Sequence, residues 1–211
     1  MPKFLPIFPL GLVAFPGEQL NLHIFEPRYK ELIRDCQAEG KTFGIPAYID
    51  DHLNEWGTEM ELVSIDQVYE DGKMDVRTLG LRVFRVLEFL REIPEKTYSA
   101  AIVDYRDETM DHDTEVSSML FGYLRQLQQL LRIDKPQLEK PSDINSFSIG
   151  HLVGLSIKEE YQLLLYPRET DRQKYLLSHL KRILPVILET ERLKQRVLLN
   201  GHFREEIPPK F

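Results

Sequence analysis

His23, Glu26, Arg28, Tyr29 and Lys30 crowd into the stretch LHIFEPRYK, residues 22–30. A base, an acid and cationic groups within reach of one another are what general acid–base chemistry uses. The elements that must position them point elsewhere. Leu20, Leu22 and Ile24 alternate with Gln19, Asn21 and His23, so a strand here carries His23 on its polar face. Pro27 has no backbone donor and a fixed φ, which suits the first position of a helix. Glu26 sets a negative charge at the positive end of that helix. Tyr29, Leu32, Ile33 and Cys36 then recur at helical spacing, leaving Arg28 off the stripe and able to reach a carboxylate or carbonyl. Glu26, Pro27, Arg28 and Tyr29 therefore read as a structural motif in which a strand gives way to an amphipathic helix.

Other candidate chemistries meet similar objections. AEGKT, residues 38–42, approaches a phosphate-binding loop, but the first glycine of that pattern falls at Asp35 and the segment follows a helix. An aspartate there repels phosphate, and Gly40 reads as a helix stop. Asp104, Asp107, Glu108, Asp111, His112 and Asp113 form an acidic run. It lacks the spacing and the glycine of a calcium loop and reads as a solvated linker. The histidines at 23, 52, 112, 151, 179 and 202 include no H-x-x-x-H pair, and the single Cys36 has no partner for a disulfide or a zinc site. His151 reads as a packed or capping residue, and Cys36 as a buried thiol. No G-x-S-x-G elbow occurs; Ser156 in GLSIK reads as a helix cap, and Lys158, two residues on, diverges from it. No catalytic residue, metal ligand or cofactor is expected.

The first half of the chain is strand-like. Residues 43–49, 60–70, 73–80, 81–90 and 98–105 are β-rich runs bounded by Gly, Pro, Asp or Asn. Asp71-Gly72 suits a two-residue type I′ hairpin, and DDHLNEWGT (51–58 with Asp50) reads as a polar loop. From about residue 114 the period turns helical. Leu120, Tyr123, Leu124, Leu127 and Leu131 share a stripe. Pro136 and Pro141 mark a loop, Ser146 can cap a short helix through Leu155, and Ser156-Glu159 and Thr170-Gln173 match capping boxes. Leu176, Leu177, Leu180, Ile183, Leu184, Ile187, Leu188 and Leu198 carry a long last helix to Asn200-Gly201, with a kink or break at Pro185. Its basic residues, Arg172, Lys174, Lys181, Arg182, Arg192, Lys194, Arg196 and Arg204, read as a solvated outer face, with an acidic partner as the alternative. The expected division is a β subdomain over 1–112, an α-helical subdomain over 113–200 and a polar tail over 201–211.

LPIFPLGLVAFPGEQLNLHIFEPRYKELIRDC (5–36) closely resembles the opening of the N-terminal substrate-binding domain of Lon proteases. The resemblance continues through GTEMELVSIDQVYEDGKMDVRTLGLRVFRVLEF (57–89), then SIGHLVGLSIKEEYQLLL, the segment Arg168 to Arg172 and the long helix. It implies an α+β fold: an N-terminal PUA-like antiparallel β-barrel followed by a C-terminal α-helical bundle with a long last helix. It also implies recognition of polypeptide. The ATPase and Ser-Lys peptidase of that family lie in later domains, and neither motif occurs before Phe211, so a stand-alone, non-catalytic Lon-domain protein is expected.

The expected partners are unfolded or peptide segments of other proteins, with a protease or chaperone as co-worker in proteolysis or quality control. Trp56 and Leu53 are the candidate peptide contacts. The Trp56 ring is either partly exposed and available, or folded back onto the barrel. An enzyme or small-ligand protein whose site is assembled from distant residues is the alternative, and RNA binding by analogy with PUA-like barrels a further one. The net charge of −7, from 34 acidic and 27 basic residues, disfavours nucleic acid, which needs a basic face. With no long apolar run and no signal peptide, the expectation is a cytoplasmic protein without a membrane span.

Overall fold

The computed structural model describes residues 2–133 and 138–201. Within them the strands are β1 (Lys3–Pro6), β2 (Gln19–Ile24), β3 (Phe43–Ile49), β4 (His52–Val68), β5 (Met74–Leu90) and β6 (Ala100–Tyr105). The helices are α1 (Pro27–Glu39), α2 (Thr114–Leu131), α3 (Ser146–Ile149), α4 (Ile157–Leu165) and α5 (Glu169–Gly201). This is the expected α+β arrangement, an antiparallel sheet first and helices after it, the last one long. The described residues divide into two compact units: those up to Asp111 with Asn145–Arg172, and His112–Ile144 with those from Gln173 on. The first unit thus takes in α3 and α4 as well as the β-rich part. The polar tail expected over 201–211 lies, beyond Gly201, outside the described residues.

In the first unit the strands run in the order β1-β6-β5-β4-β3, and β2 pairs with β5. The chain just past β1 closes the sheet: Ile7 and Leu10 bridge in parallel to Gly44 and Ala47 of β3. Phe8 N–H donates to Gly44 O at 2.8 Å, and Tyr48 N–H to Leu10 O at 2.9 Å. An edge that would otherwise expose unpaired backbone groups is thereby used up. β3 is buried from Phe43 to Ala47 because both its faces are covered there. Phe43 and Ile45 join Leu32, Ile33 and Cys36 of α1 in one buried cluster, while Gly44 faces Leu5 and Phe84, members of a second. Burial pushes the Cys36 thiol up to about 12, as an inert core cysteine requires.

The hairpins differ from expectation. The tight turn with two left-handed residues is Asp50-Asp51, φ 52° and 57°, between the paired Ile49 and His52. Asp tolerates this conformation. At Asp71-Gly72 only Gly72 is left-handed, φ 74°; Tyr69 N–H donates to Lys73 O and Gly72 N–H to Tyr69 O, both at 2.9 Å. That is a three-residue loop, stabilised by Asp71 Oδ1 accepting from Lys73 N–H. The expected polar loop after Asp50 is therefore strand, and Leu53 and Trp56 belong to β4.

Helix starts are governed partly by distant carboxylates. The Ser156–Glu159 capping box opens α4 as expected. Ser146 does not cap α3; its N–H and Oγ both donate to buried Glu169, and Asn145 takes the cap by accepting from Phe147 N–H. α3 ends at Ile149 and a 3-10 turn, Gly150–Leu152, follows, short of the expected Leu155. Thr170 does not cap α5 either. Asp111 does so from across the unit, accepting from Thr170 N–H at 3.0 Å and from Thr170 Oγ1.

In the second unit Asp113 accepts from the N–H groups of Glu115 and Val116 and starts α2. Its stripe buries Val116, Leu120, Leu124 and Leu127, and α5 contributes buried Leu176, Leu177, Leu180 and Leu184. α5 continues through Pro185 as one helix, so of the expected kink or break the break does not occur. The carbonyl that Pro185 leaves without a helical donor belongs to Lys181, an exposed residue, so the lost bond is not one made in the core.

Candidate functional site

The first unit contains a cleft of about 320 Å³ at the end of the barrel where α1 begins. The first turn of α1 supplies Arg28 and Tyr29, the β3–β4 hairpin supplies Tyr48 and Leu53, and the end of β5 supplies Phe89 and Arg91. Pro9, Thr97 and Ser99 complete the lining. Tyr48 and Leu53 are cross-strand partners, so the Asp50-Asp51 turn fixes them as neighbours. Tyr29 is buried and stacks on Phe8 with ring centroids 3.9 Å apart; burial raises its hydroxyl above the usual tyrosine value and keeps it protonated.

The wall beside Thr97 is pinned to α1. Lys96 and Tyr98 both donate to Asp35, and Thr97 donates through its N–H and Oγ1 to Glu31. The bonds from Lys96, which contributes most, and from Tyr98 hold the Asp35 carboxyl below its ordinary value. The cationic groups of the cleft differ from each other. Arg28 folds back, bonding Glu26 through Nε at 2.9 Å and Nη2 at 2.7 Å and lying 4.6 Å above the Tyr29 ring. Arg91 is exposed and makes no hydrogen bond or ion pair among the described residues.

Glu26 and Pro27 stand at the N-cap and first turn of α1, yet Arg28 and Tyr29 of the same motif line the cleft. Of the two candidate peptide contacts, Leu53 is in the cleft. Trp56 lies outside its lining, beyond the point where the β3–β4 register shifts between Tyr48 and Pro46. Its half-buried ring lies 5.0 Å from Arg106 and 5.9 Å from Arg85, and its backbone N–H donates to Tyr161 OH at 3.3 Å. Arg106 in turn donates to Glu108 and to the carbonyls of Leu164 and Leu165.

Several ionisable groups outside the cleft have structural partners. His23 Nδ1 is 2.6 Å from Asp75 Oδ1 across β2 and β5, and Tyr69 OH donates to the same carboxylate. His151 sits between Glu18 and Glu160, its ring 4.7 Å from that of Phe15. Glu18 first and Glu160 second raise His151 to about 9 against the effect of burial. The acidic run is not a solvated linker: Glu108 pairs with Arg106 and Arg172, and Asp111 with Arg168 and Thr170. Nor does Arg172 lie on a basic outer face, since it is fully buried.

Sequence reasoning missed Tyr48, Phe89 and Arg91. Reading Asp50-Asp51 as a type I′ turn would have paired Tyr48 with Leu53. Phe89 and Arg91 reach the cleft only through the curl of β5, which no local pattern carries.

Residues 4–182 match the family model described as the ATP-dependent protease La (LON) substrate-binding domain. The chain is 26% identical over 207 residues to the Lon protease of Flavobacterium johnsoniae, covering 87% of this chain and 25% of that protein. It is 29% identical over 89 residues to protein cereblon of Xenopus tropicalis, covering 40% of this chain and 20% of that one. It therefore spans a quarter or less of the length of these relatives. Among solved structures it is similar to a Lon N-terminal domain protein from Xanthomonas campestris, with TM-score 0.65 and 26% identity, covering 83% of this chain and 98% of the other. The N-terminal domain of the Mycobacterium avium complex Lon protease also matches, with TM-score 0.65 and 17% identity over 85% of this chain and 98% of the other; that likeness concerns the fold alone.

Proposed function

Because the chain belongs to the family of ATP-dependent protease La (LON) substrate-binding domains, we propose that it binds exposed apolar segments of other polypeptides in the cleft at the start of α1, without catalysing a reaction on them. The observation that carries this reading is the lining itself. Tyr29, Tyr48, Leu53 and Phe89 offer an aromatic and aliphatic surface at the mouth of a rigid barrel, the combination that gives binding energy at low entropic cost. Leu53 is the central contact within the cleft, and Trp56, half-buried outside it, is a second for the part of a segment that extends beyond it. On this reading the protein acts as an adaptor or regulator in proteolysis or quality control, presenting segments to a protease or chaperone.

Fluorescence anisotropy with a labelled, permanently unfolded model protein tests the proposal. Saturable binding is expected, with Leu53→Asp and Phe89→Asp each weakening it about tenfold or more by placing a charge on the apolar surface. Absence of saturable binding by the folded wild type overturns it.

A further inference from the structure

We infer that the cleft recognises the C-terminal residue of a polypeptide, taking its apolar side chain against Tyr48, Leu53 and Phe89 and its free carboxylate on the guanidinium of Arg91. This rests on the polypeptide-binding reading and specifies its substrate class. Most guanidinium groups of the first unit already hold a carboxylate: Arg77 with Asp66, Arg82 with Glu59, Arg85 with Glu55, Arg168 with Asp111. Arg91 has no such partner among the described residues, and it lines a cleft whose remaining surface is largely apolar. A guanidinium presents a planar fork that matches a carboxylate with two parallel hydrogen bonds. In a chain of net charge −7, an uncompensated cation in a concavity marks where an anion is welcome.

The size of the cleft decides between sources of carboxylate. About 320 Å³ stands at the lower end of ligand-site volumes of roughly 300–1,000 Å³, which suits a chain end better than a segment that must leave in both directions. An acidic side chain within a segment brings a carboxylate but displaces the apolar group from the floor. A C-terminal residue carries both on one Cα, matching a cleft in which Arg91 and the apolar floor are neighbours. Arg28, also in the lining, is already paired with Glu26 through Nε and Nη2, which leaves Arg91 to take the carboxylate.

The test uses a short labelled peptide ending in leucine, as the free acid and as the C-terminal amide, with anisotropy as readout. The free acid is expected to bind about tenfold or more tightly than the amide. Arg91→Gln should bring the acid down to the amide's affinity, and Arg91→Lys, which keeps charge but loses the fork, should recover part of the difference. Arg34→Gln, the same charge change at an exposed position of α1 outside the cleft, should leave the preference intact, and thermal melting checks that each variant is folded. Acid and amide binding alike to the wild type overturns the inference and leaves polypeptide binding standing. An amidated peptide with an internal glutamate that equals the free acid also overturns it, by assigning the carboxylate to a side chain. Failure of every peptide and of the unfolded protein to bind removes the underlying reading as well.

Discussion

Arg172 is the bulkiest side chain that the fold buries completely. A buried guanidinium is tolerable only with its charge and donors satisfied. Nε donates to Glu169, Nη1 donates to Glu108 and, at 2.8 Å, to Tyr166 O, and the group lies 4.2 Å from the Phe147 ring. Arg172→Met keeps much of the volume but leaves Glu108 and Glu169 without this shared cation. We expect a loss of about 3–5 kcal/mol in urea unfolding, against a small change for Arg192→Met on the exposed part of α5. Helical spacing placed Arg172 on a solvated face because the carboxylate that claims it, Glu108, is 64 residues away. The same distance problem hid Asp111, whose role as the cap of α5 is invisible at Thr170.

At the scale of elements, local rules explain what was legible. α1 starts at Pro27, buries Tyr29, Leu32, Ile33 and Cys36 and stops at a left-handed Gly40, each a consequence of residues a turn apart. β5 is different, since its course depends on what crosses it. Its first half pairs with β2 and its last part with β6, and between them Gly80 exchanges hydrogen bonds with Gly17 and Glu18. A Cβ on Gly80 would stand 2.1 Å from Phe15 O, so backbone must move to admit one. Gly80→Ala should therefore destabilise by about 1–3 kcal/mol, seen as a lower melting temperature. The shift would exceed that of Gly122→Ala on α2, where nothing lies within 4 Å of the added atom and the helix gains propensity.

For the molecule as a whole, paired charges set the pH range of stability. Asp35 and Asp111 have folded values below the ordinary carboxylate range, through hydrogen bonds led by Lys96 and Thr170 respectively. Their contribution is present above the unfolded value and lost as pH falls through the folded one. His151 runs the other way: raised from 6.5 to about 9, it contributes fully below 6.5 and loses that contribution as pH rises through about 9. Urea midpoints across a pH series should thus decline at both ends, and His151→Gln should lower stability near neutral pH while flattening the alkaline decline. Composition, periodicity and the residues 5–36 determined by themselves the class of fold, the helix stripes and the family, because these depend on neighbours in the chain and on motifs that survive as strings. Only the tertiary structure decided that Leu53 shares a cleft with Arg91 while Trp56 does not, that Glu108 and Asp111 of the acidic run are spent on arginines, and that His151 bridges Glu18 and Glu160. Each of those outcomes turns on a shift of strand register, sheet closure or a partner far along the chain, and a one-dimensional pattern does not contain the coordinates that bring such groups within hydrogen-bonding distance.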